Sequence, residues 1–259
     1  MQVSFLAQVD TWKLILILLA VMIISILIGF VAGKKFYRES KIDSTILGSL
    51  FTLLGLMLAF TFSMALNYHN MRREIIIEEA NDIGTAILRA DLYREADRNL
   101  LRGDFKKYVD ARVEFFTAGT DLEKVMAAHK LTGSIQQQLW ARAAQLSKDS
   151  GYTVASMQMI PALNSMIDIT TTRLYGNIVH LPDSIIYLLF LLSSGCTFYI
   201  GYMFAGKGKF DWLVVLVFSL FTSLVVFVIF DLDRPRRGFI TLDKMNNAIV
   251  ELKQMFPEK

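Results

Sequence analysis

Four stretches of this 259-residue chain run for about 20 residues without an Asp, Glu, Lys or Arg. They extend from about Leu14 to Gly33, Ile46 to Leu66, Ser184 to Ala205 and Trp212 to Phe230. That is the length a helix needs to cross the hydrocarbon core of a bilayer, and backbone polar groups in lipid must bond within their own helix. A composition that is 54% hydrophobic, with a mean hydropathy of +0.42, fits a chain whose solvent is largely lipid. The expected fold is an all-α integral membrane protein. Four transmembrane helices carry a helical soluble domain inserted between the second and third. The expected divisions are 1–66, 67–181, 182–230 and a tail over 231–259. The first stretch is too long for the apolar part of a signal peptide and lacks a small-residue cleavage site before Lys34 and Lys35, so it is expected to be retained.

Charge bears on orientation and partners. The short loops Lys34 to Asp43 and Gly206 to Asp211 lie on one face and carry Lys34, Lys35, Arg38, Lys41, Lys207 and Lys209. Residues 1–12 on the other face hold no Lys or Arg, which favours cytoplasmic loops and an extracytoplasmic helical domain. Arg72, Arg73, Arg234, Arg236 and Arg237 on the domain's side pull the other way. A net charge of +3 spread along the chain argues against a nucleic-acid partner. Cys196, the only cysteine, excludes an intrachain disulfide and a cysteine metal cluster.

Between Asn67 and about Leu181 the apolar positions keep helical spacing. Met71, Ile75, Ile83, Ile87 and Ala90 form one series; Leu101, Phe105, Tyr108, Val109, Val113 and Phe116 form another. Gly119 predicts a stop, and Thr120 with Glu123 predicts a capping box for the next helix, which should reach about Lys148. Gly151 separates it from a helix starting near Thr153 and interrupted by Pro161. Leu181-Pro182-Asp183 announces the third span. No Gly or Pro lies between Gly55 and Gly84, so the second span is expected to continue unbroken to at least Asn81, which would couple the domain to the membrane helices.

Along that helix, Gly48, Thr52, Gly55, Ala59 and Ser63 repeat at three and four residues and share a face, continued by Asn67, Asn70, Glu74, Glu78, Asn81 and Thr85. Such a face could line a watery conduit. On the residues alone the favoured reading is a seam where small residues let helices approach closely, as expected for Ser25, Gly29 and Gly33 in the first span. The carboxylates of Glu74, Glu78 and Asp82 could together hold calcium or magnesium; pairing with Arg72 and Arg73 is the favoured alternative, because calcium takes more oxygen ligands than this face offers. The expectation is no metal. Asp231, Asp233, Arg234, Arg236 and Arg237 close the fourth span as an interfacial charge cluster, serving a pore entrance, lipid headgroups or simple anchoring.

Catalysis has little support. His69, His129 and His180 are far apart, with no HExxH spacing, no GxSxG and no glycine-rich phosphate loop. Neither an enzyme nor a cofactor is expected. Trp12, Tyr187, Tyr202 and Trp212 read as interfacial or packing aromatics.

Four segments together resemble one family. They are Gly55-Leu56-Met57-Leu58-Ala59-Phe60-Thr61-Phe62-Ser63, leading to Arg72-Arg73 and Glu79-Ala80-Asn81-Asp82-Ile83-Gly84-Thr85; Leu88-Arg89-Ala90-Asp91; Ala162-Leu163-Asn164 with Met166-Ile167-Asp168; and Asp231 to Gly238. They resemble the bacterial bestrophin-like membrane proteins. The resemblance implies a multi-pass protein of the bacterial inner membrane, distantly related to oligomeric channels of four-helix subunits whose second helix lines the pore. It also implies a cytosolic soluble portion, against the charge distribution. Phe51, Phe60 and Phe62 do not share one face as a bestrophin neck requires, so anion selectivity does not carry over. The expected function is a homo-oligomeric channel for small ions of unspecified identity. The alternative is a membrane-anchored scaffold or sensor whose helical domain binds a protein partner.

Overall fold

Charge-free apolar length in the four spans and 3.6-residue apolar spacing between them both lead to helix, and the computed structural model is helical throughout its regular elements. It describes residues 9–36, 43–207 and 210–256, among which there is no β-strand. Arg38, Lys41 and Lys209, on which the orientation reading leans, lie outside the described residues. The helices are α1 (Thr11–Phe36), α2 (Asp43–Arg89), α3 (Glu95–Thr117), α4 (Leu122–Leu146), α5 (Thr153–Gly176), α6 (Asp183–Lys207), α7 (Trp212–Asp233) and α8 (Asp243–Glu251). Four of them, α1, α2, α6 and α7, are long and apolar enough to cross a membrane. Helix α2 runs 47 residues without a break, and the stretch between Gly55 and Gly84, free of Gly and Pro, predicts its continuity to Asn81.

The chain divides into two compact units, residues 1–69 with 180–240, and residues 70–179 with 241–259. In the first, α1 packs closely on α6. A Cβ added to Gly29 would lie 2.0 Å from the Phe198 carbonyl oxygen, one on Gly201 2.1 Å from that of Ile26, and one on Gly33 2.5 Å from that of Tyr202. Only glycine admits such backbone approach, a device by which helices gain dispersion contact where lipid supplies no hydrophobic drive. Leu14, Leu18 and Met22 of α1 join Ala65 of α2, Ile186 of α6 and Val226, Ile229 and Phe230 of α7 in one buried cluster.

The second unit is built on the two apolar series read from the sequence. Ile83, Ile87 and Ala90 pack with Leu101, Phe105, Tyr108 and Val109 and with Leu139, Met159, Leu163 and Met166. Val113 and Phe116 are only half-buried, and the buried register continues instead through Arg112 and Phe115. Two local expectations need correction. The cap of α4 is Asp121, whose carboxylate accepts the Lys124 amide at 3.2 Å and pairs with its ammonium, so no Thr120–Glu123 box starts the helix. A charged acceptor at the positive end of the helix dipole does that work. Gly119, at φ +57°, supplies the left-handed turn before it. Nor does Pro161 interrupt α5, which is continuous. Pro161 and Met157, whose carbonyl loses its partner, are both on the exposed side, where water can satisfy the freed group.

Candidate functional site

Helix α2 presents two contrasting sides. Leu54, Thr61, Ala65, His69, Arg72, Ile76, Glu79 and Ile83 are buried. The small-polar stripe faces the other way: Gly48, Thr52, Gly55, Ala59, Ser63 and Asn67 are all exposed, and Asn70 is half-buried. A Cβ on Gly48 or Gly55 would meet nothing within 4 Å, unlike the packing glycines of α1 and α6. The apolar window of α2 is only 11% buried within the chain, against 28% for α1 and 39% each for α6 and α7. Phe51 turns toward Phe218, with ring centroids 5.1 Å apart, while Phe60 and Phe62 are exposed, so the three do not gather on one face. Farther along, Glu74, Glu78, Asn81 and Thr85 are exposed and Asp82 is half-buried. Among the described residues no group of three His, Cys, Asp or Glu side chains comes together to hold a metal, Glu74, Glu78 and Asp82 included.

The Asp231–Gly238 segment is tied inward at one end of the first unit. The buried Asp231 carboxylate accepts the amides of Phe239 at 2.9 Å and Ile240 at 2.7 Å. Gly238 leaves room for that turn, since a Cβ there would sit 2.7 Å from the same carboxylate. Asp233 accepts the Leu181 amide at 3.1 Å, and the imidazole of His180 lies 3.3 Å from its carboxylate. Arg234 donates to the carbonyl of Val9 and reaches the Thr11 hydroxyl at 3.3 Å. Three of the five cluster residues thus cross-link the N-terminal segment, the start of α6 and the turn after α7. Arg236 is half-buried and Arg237 exposed.

A third constellation escapes a reading that assigns charges to surfaces. In the second unit Glu79, Arg112 and Arg173 are all buried. Arg112 Nε donates to Glu79 Oε1 at 2.5 Å, and Arg173 donates to Glu79 Oε2. The other arm of Arg173 donates to the Asn246 side chain of α8 at 2.6 Å. The Phe115 ring lies 4.4 Å from the Arg112 guanidinium carbon and 5.7 Å from that of Arg173. Nearby, the Tyr108 hydroxyl bonds Thr170 at 2.8 Å and accepts from Gln136 at 3.3 Å; burial pushes its phenol above the usual range. Burial, and then the Arg112 charge, push the His129 imidazole below its ordinary value. The available signal is register: Glu79 falls in the series Ile75, Glu79, Ile83; Arg112 follows Phe105, Tyr108 and Val109; Arg173 follows Met166, Ile169 and Thr170. Charges at core positions of three helices imply a buried network. A fourth buried arginine, Arg72, donates Nε to the Gly176 carbonyl at 3.0 Å and Nη2 to that of Val179, at the negative end of α5.

The class these features define is an all-helical chain with four membrane-span-capable helices and two buried charge networks. The family model described as Bestrophin-like domain matches residues 15–245, and the chain belongs to the bestrophin-like family. The match takes in the exposed stripe of α2, the Glu79 network and the Asp231 turn. No curated protein and no solved structure matches the chain.

Proposed function

We propose that the chain is the subunit of a homo-oligomeric channel in a bacterial inner membrane, with α2 lining the conduit and the helical unit forming a soluble domain between the second and third spans. The observation that carries this reading is the exposure of one small, weakly polar face on the least covered of the four apolar helices. A stripe that met neighbouring helices of its own chain would be buried, as Gly29, Gly33 and Gly201 are. One facing lipid alone would have no use for Thr52, Ser63 and Asn67. A ring of copies gives both the cover and the water. The positive-inside rule orients the short loops toward the cytoplasm and the helical domain away from it. With Cys196 replaced, a cysteine at Ser40 should resist an impermeant thiol reagent in intact cells and one at Ser134 should react; the reverse pattern overturns this orientation.

The competing reading, a scaffold or sensor binding a protein partner, draws on the exposed apolar side chains Leu122, Val154 and Met157 of the helical unit. Oligomer order separates the two, a ring of about four to six copies favouring the channel and a monomer or compact dimer the scaffold, and Ser63→Leu separates a conduit from a packing seam. In a conduit the added side chain narrows and dries the path, since hydrophobic constrictions close pores by dewetting. Flux through proteoliposomes should fall while the oligomer mass in detergent is kept. In a packing seam the same bulk costs about 1–3 kcal/mol and weakens assembly. A wild-type monomer, or wild-type protein that passes no ion tried, sinks the channel. Neither reading calls for enzymatic chemistry or a cofactor.

A further inference from the structure

We propose that the second unit holds a small monovalent anion of the halide class against the Nη atoms of Arg112. Glu79 contributes one carboxylate to two buried guanidinium groups, and the remaining partner of Arg173, Asn246, is neutral. One positive charge is left over in this group.

That charge has an address. Arg112 is fully buried, its Nε is taken by Glu79, and among the described residues neither Nη1 nor Nη2 has a hydrogen-bond partner. Arginine cannot shed its proton to escape burial, as a lysine would. The Phe115 ring attracts both guanidinium groups by its quadrupole but carries no net charge to balance them. The other buried acid of α3, Asp104, is already held by Arg142 at 2.9 Å and Gln138 at 3.0 Å. His129, 6.4 Å from Phe115 between ring centroids, leaves a second buried polar atom, Nδ1, without a partner in the same neighbourhood. The Nη atoms have no solvent access, which suits a single-atom anion with one charge better than a phosphate or a carboxylate ligand, whose size and hydration demand an open mouth. This inference stands apart from the channel reading, because the groups form an internal site of the helical unit whether or not α2 lines a conduit.

The test uses the full chain in detergent. Its unfolding midpoint is followed as sodium gluconate is exchanged for sodium bromide at constant ionic strength, and crystals grown in bromide are searched for its anomalous signal. The expected result is a saturable upward shift of the midpoint with bromide, as for any ligand that binds only the folded state, and an anomalous peak in hydrogen-bond range of the Arg112 Nη atoms. Arg112→Met removes the surplus charge and leaves Glu79 paired one-to-one with Arg173, so the bromide shift should vanish in that variant. Should that variant fail to fold, the anomalous map of the unaltered protein decides alone. Equal midpoints in bromide and gluconate with no peak at Arg112, water alone at the Nη atoms, or a carboxylate from a second copy filling the place would each overturn the proposal.

Discussion

Glu79 is the residue on which the second unit's electrostatics turn. Both of its oxygens are engaged by buried arginines, one from α3 and one from α5. A carboxylate in that position offsets the desolvation of two guanidinium groups at once, and removing it leaves both charges buried without their acid. Breaking a buried pair by deleting one partner costs about 3–5 kcal/mol, far more than an exposed ion pair is worth. Glu79→Gln keeps the shape and an acceptor oxygen but loses the charge. Its unfolding midpoint should drop well below that of the unaltered chain, and adding Arg112→Met should recover part of the loss, because the double variant leaves one unpaired arginine instead of two. A Glu79→Gln protein as stable as the parent would show that the network contributes nothing net. The exposed pair Lys124–Asp121 provides the contrast: Lys124→Met, which removes the ion pair and leaves the Asp121 carboxylate as the cap of α4, should leave the midpoint almost unmoved.

At the level of the helix, two kinds of glycine look alike in the sequence and differ in the structure. Gly29 and Gly55 each sit in an apolar span with small residues one turn away. Gly29 meets the Phe198 backbone, whereas Gly55 faces open space. Gly29→Ala should therefore force α1 and α6 apart and lower the unfolding midpoint in detergent, at a cost of about 1–3 kcal/mol typical of overpacking. Gly55→Ala, with no neighbour to displace and a better helix former in place, should be neutral or gain about 0.5–1 kcal/mol. Equal loss in both would mean that the exposed side of α2 is a tight seam. The comparison also shows what was legible in advance. The four spans follow from charge-free apolar length, the continuity of α2 from the lack of Gly and Pro between Gly55 and Gly84, and the buried series through Ile83 and Phe105 from periodicity, which reports the face a helix buries; α8, in what reads as a tail, does not follow from any of these. Periodicity does not report what the opposite face meets, so although Gly29 reads as a packing glycine, the open setting of Gly55 could not be told from a seam of the same kind. Arg112 and Arg173 were hidden for another reason: hydrophobic patterning leaves charges off the core face, and only their shared register with Phe105 and Met166 marks them as buried. The Asp231–Gly238 segment was legible as a cluster but not in its bonding, because the amides that its acids accept, Phe239 at Asp231 and Leu181 at Asp233, come from loops without periodicity.

For the whole molecule, the channel reading makes a demand on charge that the stripe of α2 can be held to. Glu74 and Glu78 are exposed on the same helix as the stripe, and neither has a hydrogen bond or ion pair among the described residues. Repeated around a symmetry axis, each position becomes a ring of carboxylates, and rings of Asp or Glu favour cations where rings of Lys or Arg favour anions. A channel lined by α2 should thus prefer cations, and Glu74→Lys with Glu78→Lys should move the reversal potential under a salt gradient toward that of the anion. The shift should shrink as salt is raised, because exposed charges are screened over about 8–10 Å at physiological ionic strength. Oligomer mass should not change, since both side chains point away from the buried core of their own unit. If the reversal potential stays where it was while flux persists, ions take a path that does not pass this face of α2, and the lining helix must be sought among the other three.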